Sequence, residues 1–290
     1  MKSICPNQNY QILSLPIRPV KYHLESVPMR ENKTLSLLRQ NKPAIGLWLH
    51  SHHFHTARIL AAQNLFDWLL VDMEHTPADL STVSTIMAAI ADVSAGSCTP
   101  LARIASGTID QIKQALDAGA QGIIVPMINT AEEAAQVVQF ARYPPDGVRG
   151  AGGLTPQYGF GTANHVEYVG EANRQIMVSV QIETAEAVEN IDAILAVEGL
   201  DMVFLGPFDL HISLGLPAAL WSDNPTFQAA AQRVIAACKA KGMSLGTIAP
   251  NAAGATARAA EGFTFLSLGT DYLQLLSILR SQVSEFNESI

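Results

Sequence analysis

The sequence predicts an α/β fold, a single closed (β/α)₈ (TIM) barrel. From about residue 33 onward, eight short apolar runs alternate with longer helical patterns. Each apolar run is nearly continuous rather than alternating, which is typical of parallel strands that are buried on both faces. Eight strand-then-helix units in a chain of 290 residues favour a closed barrel, with an open doubly wound sheet as the alternative.

The elements follow in order along the chain. The predicted strands span residues 44–50, 68–74, 99–105, 122–128, 176–183, 202–209, 244–250 and 263–269. Clear helical patterns between them span residues 110–118, 131–141, 225–240 and 251–261. Thr130 precedes two glutamates, as is typical of a helix N-cap, and Gly119 and Gly242 stand where helices should end. Two longer connections, 144–163 and 210–224, are interpreted as active-site loops or lids.

The barrel is predicted to fill residues 33–290 as one catalytic domain, after an irregular N-terminal arm over residues 1–32. The arm holds four prolines among mixed polar residues and lacks the apolar stretch and cleavage site of a secretory signal. No run of eighteen apolar residues predicts a membrane span. Three widely spaced cysteines give neither a disulfide framework nor a zinc motif. We therefore expect a cytoplasmic protein.

Composition narrows the classes of partner. The formal net charge of −8 argues against nucleic acid and against an anionic membrane surface. A small anionic substrate stays possible, because the charge at a site matters more than the total. With 48% hydrophobic and 15% charged residues, the chain is expected to bury part of its apolar surface against other subunits.

Charged side chains close several predicted strands, although an unpaired charge buried in a parallel sheet costs several kcal/mol. These residues are Asp72, Glu74 and His75 after one strand, Arg103 in the next, and Glu183 and Asp209 at the ends of two more. For any one of them, a solvated residue at a strand exit is an equally good interpretation. Together, on one rim and from four strands, they indicate an active site at the carboxyl ends of the strands.

The residue types on this rim indicate a chemistry. Glu183 and Asp209 are the best pair for a hard cation such as Mg²⁺ or Mn²⁺, whereas zinc prefers nitrogen or sulfur ligands. Arg103 can place positive charge beside an enolate or carboxylate oxygen. His75 is the natural general base. This set predicts proton or carbon–carbon bond chemistry next to a carbonyl that a metal ion polarises.

Five segments carry a family resemblance, at residues 66–80, 100–134, 142–150, 180–210 and 265–275. In this order and spacing they resemble the class II pyruvate aldolases of the HpcH/HpaI type, over roughly residues 34–280. That family includes 4-hydroxy-2-oxo-heptane-dioate aldolase and fungal macrophomate synthase. The resemblance implies a barrel of the phosphoenolpyruvate/pyruvate superfamily. It also implies a metal-dependent carbon–carbon lyase that cleaves 4-hydroxy-2-oxo acids through a pyruvate enolate.

Several site roles follow from the resemblance alone. Glu183 and Asp209 correspond to the ligands of a divalent metal, Mg²⁺ foremost, with Mn²⁺ or Co²⁺ as alternatives. His75 corresponds to the catalytic base and Asp117 to the carboxylate that raises its basicity. Asp72 matches a further acidic catalytic position near the histidine.

The resemblance also implies how the 2-oxo acid binds and how the protein assembles. Arg103 corresponds to the residue that stabilises the enolate, while Gln181 and the backbone amides of Phe208 and Asp209 correspond to the substrate contacts. The family further implies homo-oligomers, hexamers built as trimers of dimers that exchange their C-terminal helices. Phe208 is bulky where the family usually has a small residue, and residues 150–161 hold five glycines. These two departures leave the second substrate open.

Alternative functions stay open. The same core residues would serve an oxaloacetate decarboxylase, or a macrophomate synthase-like enzyme that traps the enolate with another acceptor. A barrel kept for binding or assembly should have lost its metal ligands or its base, and neither is lost. The run His50, His52, His53 and His55 is interpreted as polar rim histidines, of which we expect one or two to face the pocket and meet an anionic acceptor.

Overall fold

The computed structural model describes residues 29–152 and 165–290. The predicted N-terminal arm up to residue 28 and the 153–164 part of the predicted glycine-rich loop lie outside these residues. Within the described part, no helix is long and apolar enough to cross a membrane.

Eight parallel strands close into a barrel in chain order, which confirms the predicted fold class. They are β1 (Ala44–Leu49), β2 (Trp68–Asp72), β3 (Thr99–Arg103), β4 (Gly122–Val125), β5 (Met177–Ile182), β6 (Met202–Leu205), β7 (Ser244–Ile248) and β8 (Phe265–Thr270). The barrel closes where β8 pairs with β1, and the register shifts there between Gly46 and Trp48.

Twelve helices accompany the strands in the described residues. They are α1 (Lys33–Arg39), α2 (Phe54–Ala62), α3 (Leu80–Ser94), α4 (Ile109–Asp117), α5 (Ala131–Ala141), α6 (His165–Gln175), α7 (Ala185–Glu189), α8 (Ile191–Leu195), α9 (Pro207–Ser213), α10 (Pro225–Lys241), α11 (Ala252–Glu261) and α12 (Asp271–Glu288). The four helices predicted above correspond to α4, α5, α10 and α11, each within one residue at either end. Thr130 and Glu133 form the reciprocal capping box that starts α5.

One predicted strand ends too late. The strand expected over residues 202–209 stops at Leu205, and the short helix α9 begins at Pro207. Proline lacks the N–H that a strand ladder needs and its φ suits the first turn of a helix. Asp209 therefore lies in the first turn of α9 and not at a strand end, and α9 occupies the start of the connection predicted over residues 210–224.

Large apolar side chains from alternate strand positions fill the barrel interior. They are Trp48, Trp68, Leu70, Leu101, Ile124, Met177, Met202, Phe204 and Phe265. Trp68 stacks on Phe265 with ring centres 4.1 Å apart. A Cβ atom at Gly46 would lie 2.0 Å from the Trp68 ring, so this position needs glycine. The same alternation directs the last side chains of β2 and β3, Asp72 and Arg103, into the mouth of the barrel.

The last helix, α12, is buried only at its start. Asp271 is the one buried residue among its eighteen. The Asp271 carboxylate accepts hydrogen bonds from the backbone N–H groups of His50 and Ser51, at 3.0 and 3.1 Å. The first residue of α12 therefore holds the loop that follows β1, while the rest of the helix exposes most of its surface.

Candidate functional site

A cavity of about 360 Å³ opens at the carboxyl ends of the strands. Its walls are formed by Trp48, His50, His75, Arg103, Gln181, Glu183, Phe204, Gly206, Pro207, Phe208, Asp209, Leu220 and Ile248. Six of the eight predicted site residues are among them; Asp72 and Asp117 are the two that are not. The structure thus brings most of the predicted site together on the rim where barrel active sites lie.

Glu183 is a buried carboxylate with one bond on each oxygen. Oε1 accepts a hydrogen bond from the backbone N–H of Met127 at 2.8 Å, and Oε2 accepts one from the side-chain amide of Gln181. Burial raises the pKa of Glu183 to about 7, and the negative charge of Asp209 adds to the rise. The ionised form is therefore costly without a nearby cation.

The carboxylates of Glu183 and Asp209 together suit a hard divalent cation, which binds oxygen ligands. In residues 29–152 and 165–290, no three His, Cys, Asp or Glu side chains gather as a metal cluster. A cation held by Glu183 and Asp209 would thus take its remaining ligands from substrate, water or backbone oxygens. The donor set fits Mg²⁺ or a similar ion and does not resemble a zinc site.

Two backbone segments, at Gly206 and at Met127, come close to the carboxylate of Glu183. A Cβ atom at Gly206 would lie 2.4 Å from Oε2 of Glu183, so only glycine lets the start of α9 come this near. Met127, whose N–H binds Glu183, has a φ of +55°, in the left-handed region that non-glycine residues seldom adopt. Unfavourable backbone of this kind is concentrated at functional sites, where the surrounding structure maintains it. Both features keep the carboxylate of Glu183 in place.

Arg103 is held by a buried carboxylate behind the cavity wall. Its Nε and Nη2 donate to the two oxygens of Asp72 at 2.8 and 2.6 Å, a bidentate pair. Its Cζ lies 4.4 Å from the ring centre of Trp48, which adds a cation–π contact. Burial alone would raise the pKa of Asp72, but the side chains of His50 and Arg103 outweigh it and hold the pKa well below its usual range. Asp72 is therefore ionised and orients Arg103.

Glu74 belongs to the site although the sequence shows it only as one of the rim charges. Its Oε2 lies 3.2 Å from Nη1 of Arg103 and 3.6 Å from Nε2 of His75. Burial raises the pKa of Glu74 to about 7, against the lowering effect of Arg103. The His75 side chain is 59% exposed, so the predicted base reaches the cavity from its open side.

The histidine run divides in the structure. His50 lines the cavity, and its Nε2 lies 3.2 Å from Oδ2 of Asp72. The His52 ring instead contacts the backbone oxygen of Asp72 and the hydroxyl of Thr76, both at 2.9 Å. His53 and His55 are exposed at the start of α2. One of the four histidines therefore faces the pocket, within the one or two that the sequence predicts.

Asp117 is not brought to His75 within one chain. It is the last residue of α4, and its Oδ1 accepts a bond from Nη2 of the buried Arg149 at 2.9 Å. It borders a separate cavity between α3 and α4, together with Leu80 and Lys113. A helix that follows a barrel strand runs back toward the opposite end of the barrel, so its last turn lies away from the rim. The spacing of Asp117 and His75 in the sequence does not reveal that the two residues lie apart in one chain.

Gln181 and Phe208, the two residues predicted to contact the substrate besides Arg103 and Asp209, line the cavity. Oε1 of Gln181 is buried and has no hydrogen-bond partner in the described structure, while its amide nitrogen binds Glu183. Phe208 is the second residue of α9, and 48% of its side chain is exposed at the rim of the cavity. Its aromatic ring therefore forms part of the cavity wall and is partly open to solvent.

Comparison with known proteins agrees with this geometry. The family model described as HpcH/HpaI aldolase/citrate lyase matches residues 44–277. The chain is 38% identical over 250 residues to 2-keto-3-deoxy-L-rhamnonate aldolase of Salmonella gallinarum, covering 86% of this chain and 91% of that protein. It is 37% identical over 257 residues to 4-hydroxy-2-oxo-heptane-1,7-dioate aldolase of Shigella sonnei, covering 88% and 95%.

Solved structures show the same architecture. A protein of the HpcH/HpaI aldolase/citrate lyase family from Burkholderia cenocepacia superposes with a TM-score of 0.83 at 34% identity, covering 88% of this chain and 99% of that chain. Macrophomate synthase superposes with a TM-score of 0.78 at 22% identity, covering 92% of each, a likeness in fold alone.

Proposed function

The chain belongs to the HpcH/HpaI aldolase/citrate lyase family, and on this premise we propose that it is a divalent-metal-dependent aldolase for 4-hydroxy-2-oxo acids. Its relatives are named aldolases, and the chain is a carbon–carbon lyase of their kind. One observation carries the finer proposal. The buried Glu183 faces the charge of Asp209 in the cavity that Arg103 also lines.

Glu183 and Asp209 would hold the cation, Mg²⁺ foremost and Mn²⁺ or Co²⁺ as alternatives. When bound, it would polarise the carbonyl at C2 of the 2-oxo acid. Phe208 and Asp209 are the second and third residues of α9, so their N–H groups have no acceptor within the helix and are available to a substrate carboxylate. The amide of Gln181 is a further contact of the 2-oxo acid in this proposal.

Cleavage breaks the bond between C3 and C4, and its electron pair becomes the double bond of the pyruvate enolate, with the negative charge on the C2 oxygen. Arg103 stabilises that charge, and its bidentate pair with Asp72 fixes the guanidinium in advance. We assign to His75 the proton at C3, which it returns to the enolate in cleavage and removes in synthesis. The apolar rim around Phe208 would receive the aldehyde part.

The proposal is tested by metal removal with two kinds of substrate. We expect purified protein with Mg²⁺ to join pyruvate to at least one aldehyde of a panel. A chelator should abolish this activity and added Mg²⁺ should restore it. Turnover that survives the chelator would contradict the metal-dependent reaction. Decarboxylation of oxaloacetate without aldol activity toward any aldehyde would instead favour the function of an oxaloacetate decarboxylase.

We further propose that α12 packs against a second copy of the chain, as the family resemblance implies. Its apolar side chains Tyr272, Leu276, Leu279, Val283 and Phe286 are 44–64% exposed. They recur at intervals of four and three residues and so form one stripe along the helix. An apolar stripe of this length on a soluble chain is typical of a subunit interface. Any action of Asp117 on His75 would also require a second subunit, because one chain keeps them apart.

We expect Leu279→Glu to lower the oligomer mass measured by light scattering after size-exclusion chromatography, because the charge would be buried in the interface. Ser281→Glu adds the same charge to an exposed position outside the stripe and should leave the mass unchanged. A monomeric wild-type protein would contradict the proposed packing of α12 against a second copy.

A further inference from the structure

We propose that His211 is a positioning residue of the active site, which fixes the peptide unit between Pro207 and Phe208 from behind the cavity wall. The inference rests on the proposed aldolase function, in which the backbone N–H of Phe208 contacts the carboxylate of the 2-oxo acid. His211 is only 1% exposed and is not among the residues that line the cavity. It can therefore act on a substrate only through the backbone that it holds.

The start of α9 needs support from outside the helix. α9 has only seven residues, and isolated helices of this length are unstable in water. Its N-cap, Gly206, and its first two residues, Pro207 and Phe208, all border the cavity. Gly206 has no side chain that could bond the free N–H groups of the first turn. A contact that fixes this turn therefore also fixes one wall of the site.

The imidazole of His211 makes such a contact. Its Nδ1 lies 2.6 Å from the carbonyl oxygen of Pro207, and its Nε2 lies 2.8 Å from Oγ of Ser222. A carbonyl oxygen can only accept a hydrogen bond, so Nδ1 carries a proton and donates it to Pro207. In the neutral imidazole Nε2 is then the acceptor, and the hydroxyl of Ser222 donates to it. One tautomer thus satisfies both ring nitrogens.

The bond to the Pro207 oxygen determines where the N–H of Phe208 points. The carbonyl of Pro207 and the N–H of Phe208 belong to one planar trans peptide unit and point in opposite directions. A donor that fixes the oxygen therefore fixes the N–H as well. It also polarises the peptide unit, which makes the N–H a stronger donor. The side chain of His211 thus sets both the direction and the strength of a bond that the substrate carboxylate receives in the proposed function.

The position of the imidazole is itself fixed by the fold. The ring of His211 stacks on Phe227 of α10, with ring centres 3.9 Å apart. Ser222 lies in the connection between α9 and α10, and its Oγ accepts a hydrogen bond from the backbone N–H of Asn224 at 3.3 Å. Its backbone oxygen accepts another from the side-chain amide of Gln228 at 2.6 Å. α10 and the start of its connection therefore hold His211, and His211 holds the first turn of α9.

Two substitutions separate the positioning bond from the packing of the ring. His211→Phe keeps a ring that stacks on Phe227 but removes both nitrogens, whereas His211→Asn loses the ring and keeps a donor in place of Nδ1. We expect His211→Phe to raise the Kd for pyruvate roughly 10-fold, as a weakened hydrogen bond to a charged group would do. His211→Asn should keep a Kd close to that of wild type. Calorimetric titration with pyruvate at saturating Mg²⁺ measures both.

Thermal unfolding and Mg²⁺ binding distinguish this role from a purely structural one. His211→Asn leaves a space beside Phe227 and should have the lower Tm of the two variants, so pyruvate affinity and stability should rank them in opposite orders. The Kd for Mg²⁺ should stay that of wild type in both, because neither substitution removes a charge from the proposed cation site. His55→Phe is the matched control, since His55 is exposed on α2, and should change none of the three quantities.

Three results would overturn the inference: a wild-type Kd for pyruvate in His211→Phe, an equal loss in His211→Asn, or a parallel loss of Mg²⁺ binding, which would mean that all of α9 had moved. If His211→Phe does not fold, Ser222→Ala provides the test, because it removes only the hydroxyl that holds Nε2. It should raise the Kd for pyruvate about threefold, and an unchanged Kd would count against His211. A wild-type protein that binds Mg²⁺ but no pyruvate would overturn the aldolase function itself, and the role of His211 with it.

Discussion

Glu183→Gln is expected to lower kcat/KM by roughly 10³-fold or more, equivalent to about 4 kcal/mol of transition-state stabilisation. Glutamine keeps the size of the side chain and still accepts a hydrogen bond from Met127, but it removes one of the two charges that would hold the cation. Calorimetric titration with Mg²⁺ should show the loss of binding directly. Glu189→Gln makes the same change at an exposed position of α7 and should leave both binding and turnover intact.

Stability measured against pH distinguishes a lost ligand from a misfolded variant. The pKa of Glu183 is about 7 in the folded state, above its ordinary value of 4.5. Between these values the folded protein binds a proton that the unfolded chain has released, so metal-free wild type should lose stability as the pH rises from about 4.5 to about 7. Glu183→Gln should weaken this dependence and leave the part due to Glu74. A variant that still binds Mg²⁺ as wild type does would contradict the assignment of Glu183 as a ligand.

Arg103→Lys is expected to lower kcat by roughly 10²-fold, with a smaller effect on KM. Lysine keeps the positive charge but cannot form the bidentate pair with Asp72 or lie flat over Trp48. The charge would therefore be free to move away from the enolate oxygen. Steady-state kinetics with pyruvate and an accepted aldehyde measures the effect.

Arg174→Lys is the matched control for this change. Arg174 is exposed on α6 and pairs with Glu171 on the same helix. It is not among the residues that line the cavity. It should leave kcat unchanged. If Arg103→Lys retained wild-type kcat, the geometry of the guanidinium would be irrelevant to the reaction, and Arg103 would act as a general positive charge only.

Hydropathy patterns were sufficient to predict the barrel, because each strand is buried on both faces and reads as an apolar run. The same reasoning located Asp72, Arg103 and Glu183, since a charge that closes such a run must lie at the mouth of the barrel. It could not separate His50 from His52, because the positive φ of His52 and the contacts of its ring with the Asp72 backbone oxygen and the Thr76 hydroxyl are not visible in the sequence.

The sequence could not predict where side chains from distant elements lie relative to one another. Asp209 was expected at a strand end and lies on a helix, since Pro207 ends the ladder sooner than hydropathy suggests. The resemblance assigns to Asp117 a role in raising the basicity of His75, and the sequence could not show that in the single chain Asp117 ends α4, whose last turn lies away from the rim. The sequence assigned no separate role to Glu74. Its place in the site depends on the contacts of its carboxylate with Arg103 and His75, and these contacts are seen only in the folded structure.

The bond between Asp271 and the loop after β1 joins residues that are 221 positions apart in the chain. During synthesis, the amides of His50 and Ser51 are made early and have no access to this acceptor until the chain has been extended to Asp271. The seam between the first and last strands closes at the same late moment. The rim of the cavity is therefore completed after the core, and a nascent chain that ends before Asp271 has most of its core but no finished active site.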